Sequence, residues 1–203
     1  LGVWVDPLLN FEEHINKTVK KARQISGLIT RTISFKSKDI MIPLYKSLVR
    51  PILEYGNAVW SPYLKKNKLL IEGVQRRFTK CIVGVKDMEY EDRLKFLNLP
   101  SLEYRHLRDD LIETFKLCRG FYDPVSTSSL FELNSLVNTH SNGFKLTKIN
   151  TNLDQFKYFF TNRIVNAWNG LPSHVVHAES VNSFKNAIDK IFREHLYSLE
   201  INI

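Results

Sequence analysis

Cysteine is scarce in this chain: Cys81 and Cys118 are the only two in 203 residues. Each falls on the apolar side of an expected helix. Two buried thiols in a reducing compartment is the reading this supports, not a disulfide framework. The histidines do not cluster with cysteine. His174 and His177 follow Pro172 and Ser173 with no carboxylate pair beside them, so neither a metal site nor a cofactor is expected. No run of about 18 uncharged apolar residues is present, so no membrane span is expected. The first stretch carries Asp6, Glu12 and Glu13 and lacks the apolar segment of a secretory leader. No lipidation motif or basic amphipathic terminus favours a membrane surface. The chain opens on Leu1 rather than Met, which points to a piece of something longer. An intracellular location, nuclear or cytoplasmic, is expected.

Reaction centres are missing as well. There is no GxGxxG, Walker loop, HExxH or nucleophile elbow. The one suggestive pair is Asp109-Asp110, since adjacent aspartates can hold a divalent metal for nucleotidyl transfer. Such a pair needs a rigid turn aimed into a cleft. Here both lie mid-helix in YRHLRDDLIET, with Arg105 and His106 four residues ahead, a spacing that makes helical ion pairs. A structural role is expected for them, and no catalytic residue is assigned.

What is present is positive charge, unevenly placed. The formal net charge is +8. Residues 1 to 100 hold 18 Lys/Arg against 10 Asp/Glu, a net of +8, and residues 101 to 203 hold 11 against 11. Between residues 17 and 80 there are 15 basic residues and 3 acidic ones (Asp39, Glu54 and Glu72), a net of +12. A segment so poor in acid favours a polyanionic partner.

Apolar periodicity predicts a mainly α-helical chain. A helix is expected from Phe11 to Arg31, capped by Asn10, with Ile15, Val19, Ala22, Ile25 and Ile29 inward. At 100° per residue Lys17, Lys20 and Arg31 point nearly the opposite way. A second helix follows Ser37, with Pro43 interrupting its pattern and Pro51 expected to kink or break it. A third runs from Asn67 to Val83 and closes at Gly84. Its inward stripe is Leu70, Ile71, Val74, Phe78, Cys81 and Ile82. Arg76 and Lys80 project outward, Arg77 flanks, and Lys65, Lys66 and Lys68 stand at its start, where the helix dipole disfavours cations. Further helices are expected over EDRLKFLNL, from Ser101 to Arg119, through Phe156 to Trp168, and after Ser180. Residues 121 to 143 read as loop with one helical turn near Leu130. FKLTKI at 144 to 149 alternates as one short β-strand or hairpin arm.

Several strings together resemble a known family. LGVWVDPLLNFEEHI, PLYKSLVRPILEYGNAVWSP and IEGVQRRFTKCIVG are similar to the C-terminal part of reverse transcriptases of non-LTR retrotransposons, of the jockey-like kind. DRLKFLNLPSLEYRHLRDDLI, FFTNRIVNAWNGLP and VNSFKNAID continue the pattern in order, over essentially the whole chain. The resemblance implies that residues 1–3 match the end of the palm at the primer grip. It implies a thumb-like basic bundle over 1–85 and a second helical layer over 86–203. The aromatic-x-Asp-Asp catalytic turn would precede Leu1, so this chain alone is not expected to be an enzyme. Its implied partners are an RNA–DNA or DNA duplex, held by the phosphate backbone, and the palm and fingers of the parent polymerase. The residues expected to grip that backbone are Lys17, Lys20, Arg31, Lys65, Lys66, Lys68, Arg76, Arg77 and Lys80. The rival expectation is a stand-alone helical scaffold for protein interaction, derived from such an element.

Overall fold

The structure, a computed structural model, describes residues 2–122, 130–132 and 144–201. The chain is mainly α-helical. Its described residues divide into two compact units, one of those up to 105 with 197–201 and one of those between 106 and 196. Among the described residues no helix is long and apolar enough to cross a membrane.

In the first unit α1 spans Glu12–Thr32, α2 Lys38–Leu44, α3 Arg50–Glu54, α4 Asn57–Trp60, α5 Lys65–Lys80 and α6 Tyr90–Leu97. The long α7, Leu102–Cys118, begins here and carries the chain into the second unit. Phe11, not Asn10, is the residue at the entrance of α1, with a left-handed backbone of φ 55°. Asp6 makes that entrance possible. Its carboxylate accepts from the backbone N–H groups of Leu8 (3.0 Å), Asn10 (3.3 Å) and Phe11 (2.6 Å). Asn10 still contributes, its Oδ1 accepting from Glu12 N–H at 2.9 Å.

Pro43 and Pro51 do not break the second helix. A π-helical segment, Tyr45–Val49, joins α2 to α3. The wider turn lies immediately ahead of Arg50-Pro51, where a proline ring crowds a regular α-helical backbone. Ser47 Oγ donates to the Pro43 carbonyl at 2.8 Å within the same stretch. The core gathers Ile15, Val19 and Ala22 of α1, Tyr45 and Val49 of the π turn, Leu53 of α3, and Ile71, Val74 and Phe78 of α5. Cys81 departs from expectation. It is exposed, because α5 ends at Lys80 and the backbone turns there toward Gly84 at φ 83°. The apolar stripe instead resumes at Ile82 and Val85. Cys118 is half-buried, and burial pushes its thiol up to about 12.

Residues 86–105 join the first unit through Tyr90, Leu94, Leu97, Leu99 and Leu102, which share its core. A buried polar network accompanies them. Glu72, only 5% exposed, accepts from the Tyr90 hydroxyl, from Gln75 Nε2 (3.2 Å) and from the Leu102 backbone N–H (2.8 Å). Gln75 Nε2 also meets the Pro100 carbonyl at 3.0 Å. Nearby, Arg93 Nε donates to Thr79 Oγ1 at 3.1 Å and its Nη1 to the Met88 carbonyl at 3.1 Å. Together these tie α5 to α6 and to the start of α7.

In the second unit short helices follow one another: α8 Asp154–Lys157, α9 Phe160–Arg163, α10 Val165–Asn169, α11 Ser173–Val176 and α12 Val181–Ile191. Breaks at Tyr158-Phe159 and Ile164 divide the stretch expected as one helix. Ser180 caps α12 as expected, its Oγ accepting from Ser183 N–H at 3.1 Å. The centre is Phe115, Trp168 and Phe184, with the Phe115 and Phe184 rings stacked at 4.3 Å. The segment at 144–149 forms a single bridge at Leu146 rather than a hairpin among the described residues. The Thr147 N–H donates to the Glu132 carbonyl at 2.8 Å, and side-chain amides extend this backbone pairing. Asn169 exchanges two hydrogen bonds with the Leu146 backbone, both 2.9 Å. Asn162 does the same with Ile149 at 3.0 and 3.1 Å. Most of the loop expected over 121–143 lies outside the described residues.

Burial raises the Glu72 carboxyl above its ordinary value. The native state therefore holds that proton more tightly than the unfolded chain does. Its sign is opposite to that of an ion-paired carboxylate: stability from this group is gained as pH falls through the raised folded value. Wild type should thus gain stability relative to Glu72→Gln in urea unfolding as pH falls from neutral toward the ordinary carboxylate range. Glu72→Ala should cost about 2–4 kcal/mol at pH 7, since it takes the carboxylate acceptor from the buried Tyr90 hydroxyl and Leu102 N–H.

Candidate nucleic-acid interface

The nine expected cations fall into three groups. Lys65, Lys66 and Lys68 occupy the first turn of α5, which holds no acidic residue of its own. Folding supplies carboxylates from elsewhere. Lys65 pairs with Glu200, Lys66 with Glu12 at 2.9 Å, and Lys68 with Glu103 at 2.6 Å. These anions also relieve the mismatch between the lysines and the positive end of the helix. Because Glu12 opens α1 and Lys66 opens α5, the two helices begin side by side. Lys17 forms the second group, bound to Glu13 at 2.7 Å with its ammonium 3.1 Å above the Trp4 ring. Arg76 belongs with it, its guanidinium 4.7 Å from the Tyr90 ring.

The third group is Lys20, Arg31, Arg77 and Lys80. All four are exposed and make no ion pair among the described residues. They stand on the outward faces of α1 and α5, which pack against each other. The sequence expectation that the nine cations lack acidic neighbours is therefore corrected for Lys17, Lys65, Lys66 and Lys68. Their partners lie outside the 17–80 window or far along the chain. The window's own acids are engaged elsewhere: Glu72 is buried, and Glu54 holds Arg105 at 2.8 and 3.1 Å.

Two further cations, Lys21 and Arg23, are exposed on α1 and escaped the sequence selection. The outward arc drawn from the wheel was too narrow to include them. The aromatic residues divide as well. Tyr45, Trp60 and Phe78 are core, whereas Tyr55 is 61% exposed.

Asp110 is not free to hold a metal. Arg163 grips it with two bonds, Nε at 2.9 Å and Nη2 at 3.0 Å. Arg108 holds Asp189 in the same bidentate fashion at 2.6 and 2.9 Å. Among the described residues no group of three or more His, Cys, Asp or Glu could hold a metal ion.

These features define a mainly helical protein with a basic helical surface. No family model and no solved structure matches the chain. It is similar to an uncharacterized protein of Caenorhabditis elegans, 28% identical over 137 residues, which covers 64% of this chain and 67% of that one.

If the carboxylates mask the α5 lysines, removing them should expose that charge. Glu12→Gln with Glu103→Gln should elute from a heparin column at higher salt than wild type. Thermal stability should fall by no more than about 1 kcal/mol for the exposed Lys66–Glu12 pair, and by more for Lys68–Glu103, which is half-buried.

Proposed function

We propose that this chain binds and positions a template–primer duplex through its phosphate backbone. In this reading it is the C-terminal, non-catalytic part of a retrotransposon's RNA-directed DNA polymerase. The observation that carries the binding is the set of outward cations Lys20, Arg31, Arg77 and Lys80 on two packed helices, which make no ion pair among the described residues. Lysine and arginine neutralise phosphates and release condensed counterions, which gives affinity without reading sequence. A hybrid near A-form would be held by shape and backbone. The assignment to a polymerase rests on the ordered strings that resemble the jockey-like reverse transcriptases. The palm and fingers of that parent would be the protein partners.

Four roles follow. Lys20, Arg31, Arg77 and Lys80 supply the direct phosphate contacts. Lys65, Lys66 and Lys68 form a reserve that a polyanion reaches by displacing Glu200, Glu12 and Glu103. Arg76 keeps its charge near the surface while its guanidinium covers Tyr90. Lys17 is engaged with Glu13 and Trp4 and is the weakest candidate of the nine.

Binding to an RNA–DNA hybrid across a salt series tests this. Log K should fall linearly with log salt, by roughly 0.7–0.9 for each phosphate neutralised. The quadruple variant Lys20→Ala, Arg31→Ala, Arg77→Ala and Lys80→Ala should flatten that slope by about 3. An unchanged slope would remove the backbone reading. Primer extension by the isolated chain is expected to be absent, and detectable synthesis would overturn the non-catalytic assignment.

A further inference from the structure

Ahead of α1 the chain runs over a pocket that the backbone reading does not use. Its volume is about 430 Å³, within the range of small-ligand sites. Trp4, His14, Lys17, Thr18, Lys21 and Tyr55 line it. The lining offers two ammonium groups and broad aromatic surface; Lys17 is paired with Glu13 at 2.7 Å beside the pocket, whereas Lys21 makes no ion pair among the described residues. Trp4 is 55% exposed and Tyr55 61%, although large aromatic rings are normally buried.

The walls are fixed by contacts on the protein side. His14 is 5% exposed and packs edge-on against Trp60 at 5.0 Å. Its Nδ1 accepts the Trp4 backbone N–H at 3.4 Å, and its Nε2 lies 3.4 Å from Thr18 Oγ1. Burial lowers its pKa, so at neutral pH the imidazole is uncharged and the unpaired positive charge among the lining residues is that of Lys21. The Tyr55 carbonyl accepts from Trp60 Nε1 at 2.7 Å, which anchors the backbone beneath the tyrosine ring. Lys17 already lies over Trp4 at 3.1 Å, so a cation is held against an aromatic face.

We infer that this pocket takes one unpaired nucleotide, its base against the Tyr55 ring and its phosphate on Lys21, with Lys17 exchanging Glu13 for the phosphate. A flat aromatic body and an anionic end are what this lining can satisfy together. Base stacking on aromatic side chains tolerates any base, so the site would select for a nucleotide rather than for its sequence. Thr18 offers a hydroxyl that can serve as donor or acceptor toward a sugar or phosphate. The site is independent of the duplex contacts proposed above, since it needs no second strand.

Calorimetric titration of the whole chain with AMP, adenosine and inorganic phosphate tests the inference. AMP should saturate a single site, with adenosine and phosphate each about tenfold weaker. Tyr55→Ala and Lys21→Gln should each weaken AMP by about three- to tenfold. Both side chains are exposed, so circular dichroism should show an unchanged fold. The hybrid salt slope should be the same in Tyr55→Ala as in wild type, which separates failure of this site from failure of the backbone reading. Absence of saturable AMP binding would overturn the inference. So would adenosine binding as tightly as AMP, or wild-type affinity in both variants.

Discussion

The first unit turns on a carboxylate taken out of water. Glu72 lies in the middle of α5 and is almost fully buried. An isolated charge there would be prohibitive, so its oxygens must be matched by donors. The Tyr90 hydroxyl, the Gln75 amide and the Leu102 N–H supply them. Each donor comes from a different place: α6, the next turn of α5, and the first turn of α7. The group therefore fixes where α6 and α7 begin relative to α5, a task that non-directional apolar packing performs poorly. Tyr90 also serves twice, since its ring meets the Arg76 guanidinium on the other side.

That arrangement shapes the surface charge. Glu72 sits within the basic window, yet it neutralises nothing outside. Glu54 is held by Arg105. The lysines at the start of α5, Lys65 and Lys66 exposed and Lys68 half-buried, are matched instead by Glu200, Glu12 and Glu103, drawn from three separate segments. Charge that is concentrated in sequence thus becomes graded in space. The α5 entrance is screened, while Lys20, Arg31, Arg77 and Lys80 make no ion pair among the described residues. Ion pairs at exposed sites contribute little to stability and exchange readily for other anions. A screened entrance is therefore compatible with recruitment of a polyanion.

In the second unit polar side chains extend a short backbone bridge. Asn162 and Asn169 each present an amide donor and acceptor to one backbone residue of 144–149, as a neighbouring strand would. The Trp168 indole adds a bond to the Phe144 carbonyl at 2.7 Å. Two bidentate pairs, Arg163–Asp110 and Arg108–Asp189, brace α7 against the later helices. Those aspartates and arginines are better described as framework than as chemistry.

Much of the fold was legible because helical periodicity is local. Ile15, Val19 and Ala22, or Val74 and Phe78, announce their buried faces by spacing alone, and Ser180 announces a helix start by chemistry. Local reasoning failed where the outcome depended on distant atoms. Cys81 left its stripe because the helix stopped one residue earlier. Pro51 was absorbed by a π turn, and α1 owed its entrance to Asp6 rather than Asn10. The candidate surface followed the same division. By itself the sequence determined how many positive charges there are, which helices carry them and which way they point, because these depend on composition and on a fixed angle per residue. Only the tertiary structure decided which of them stay unpaired, because Glu103 and Glu200 reach Lys68 and Lys65 across chain separations that no periodicity encodes. It also set Trp4 beside Tyr55 and Lys21, a grouping formed when three separate segments packed together.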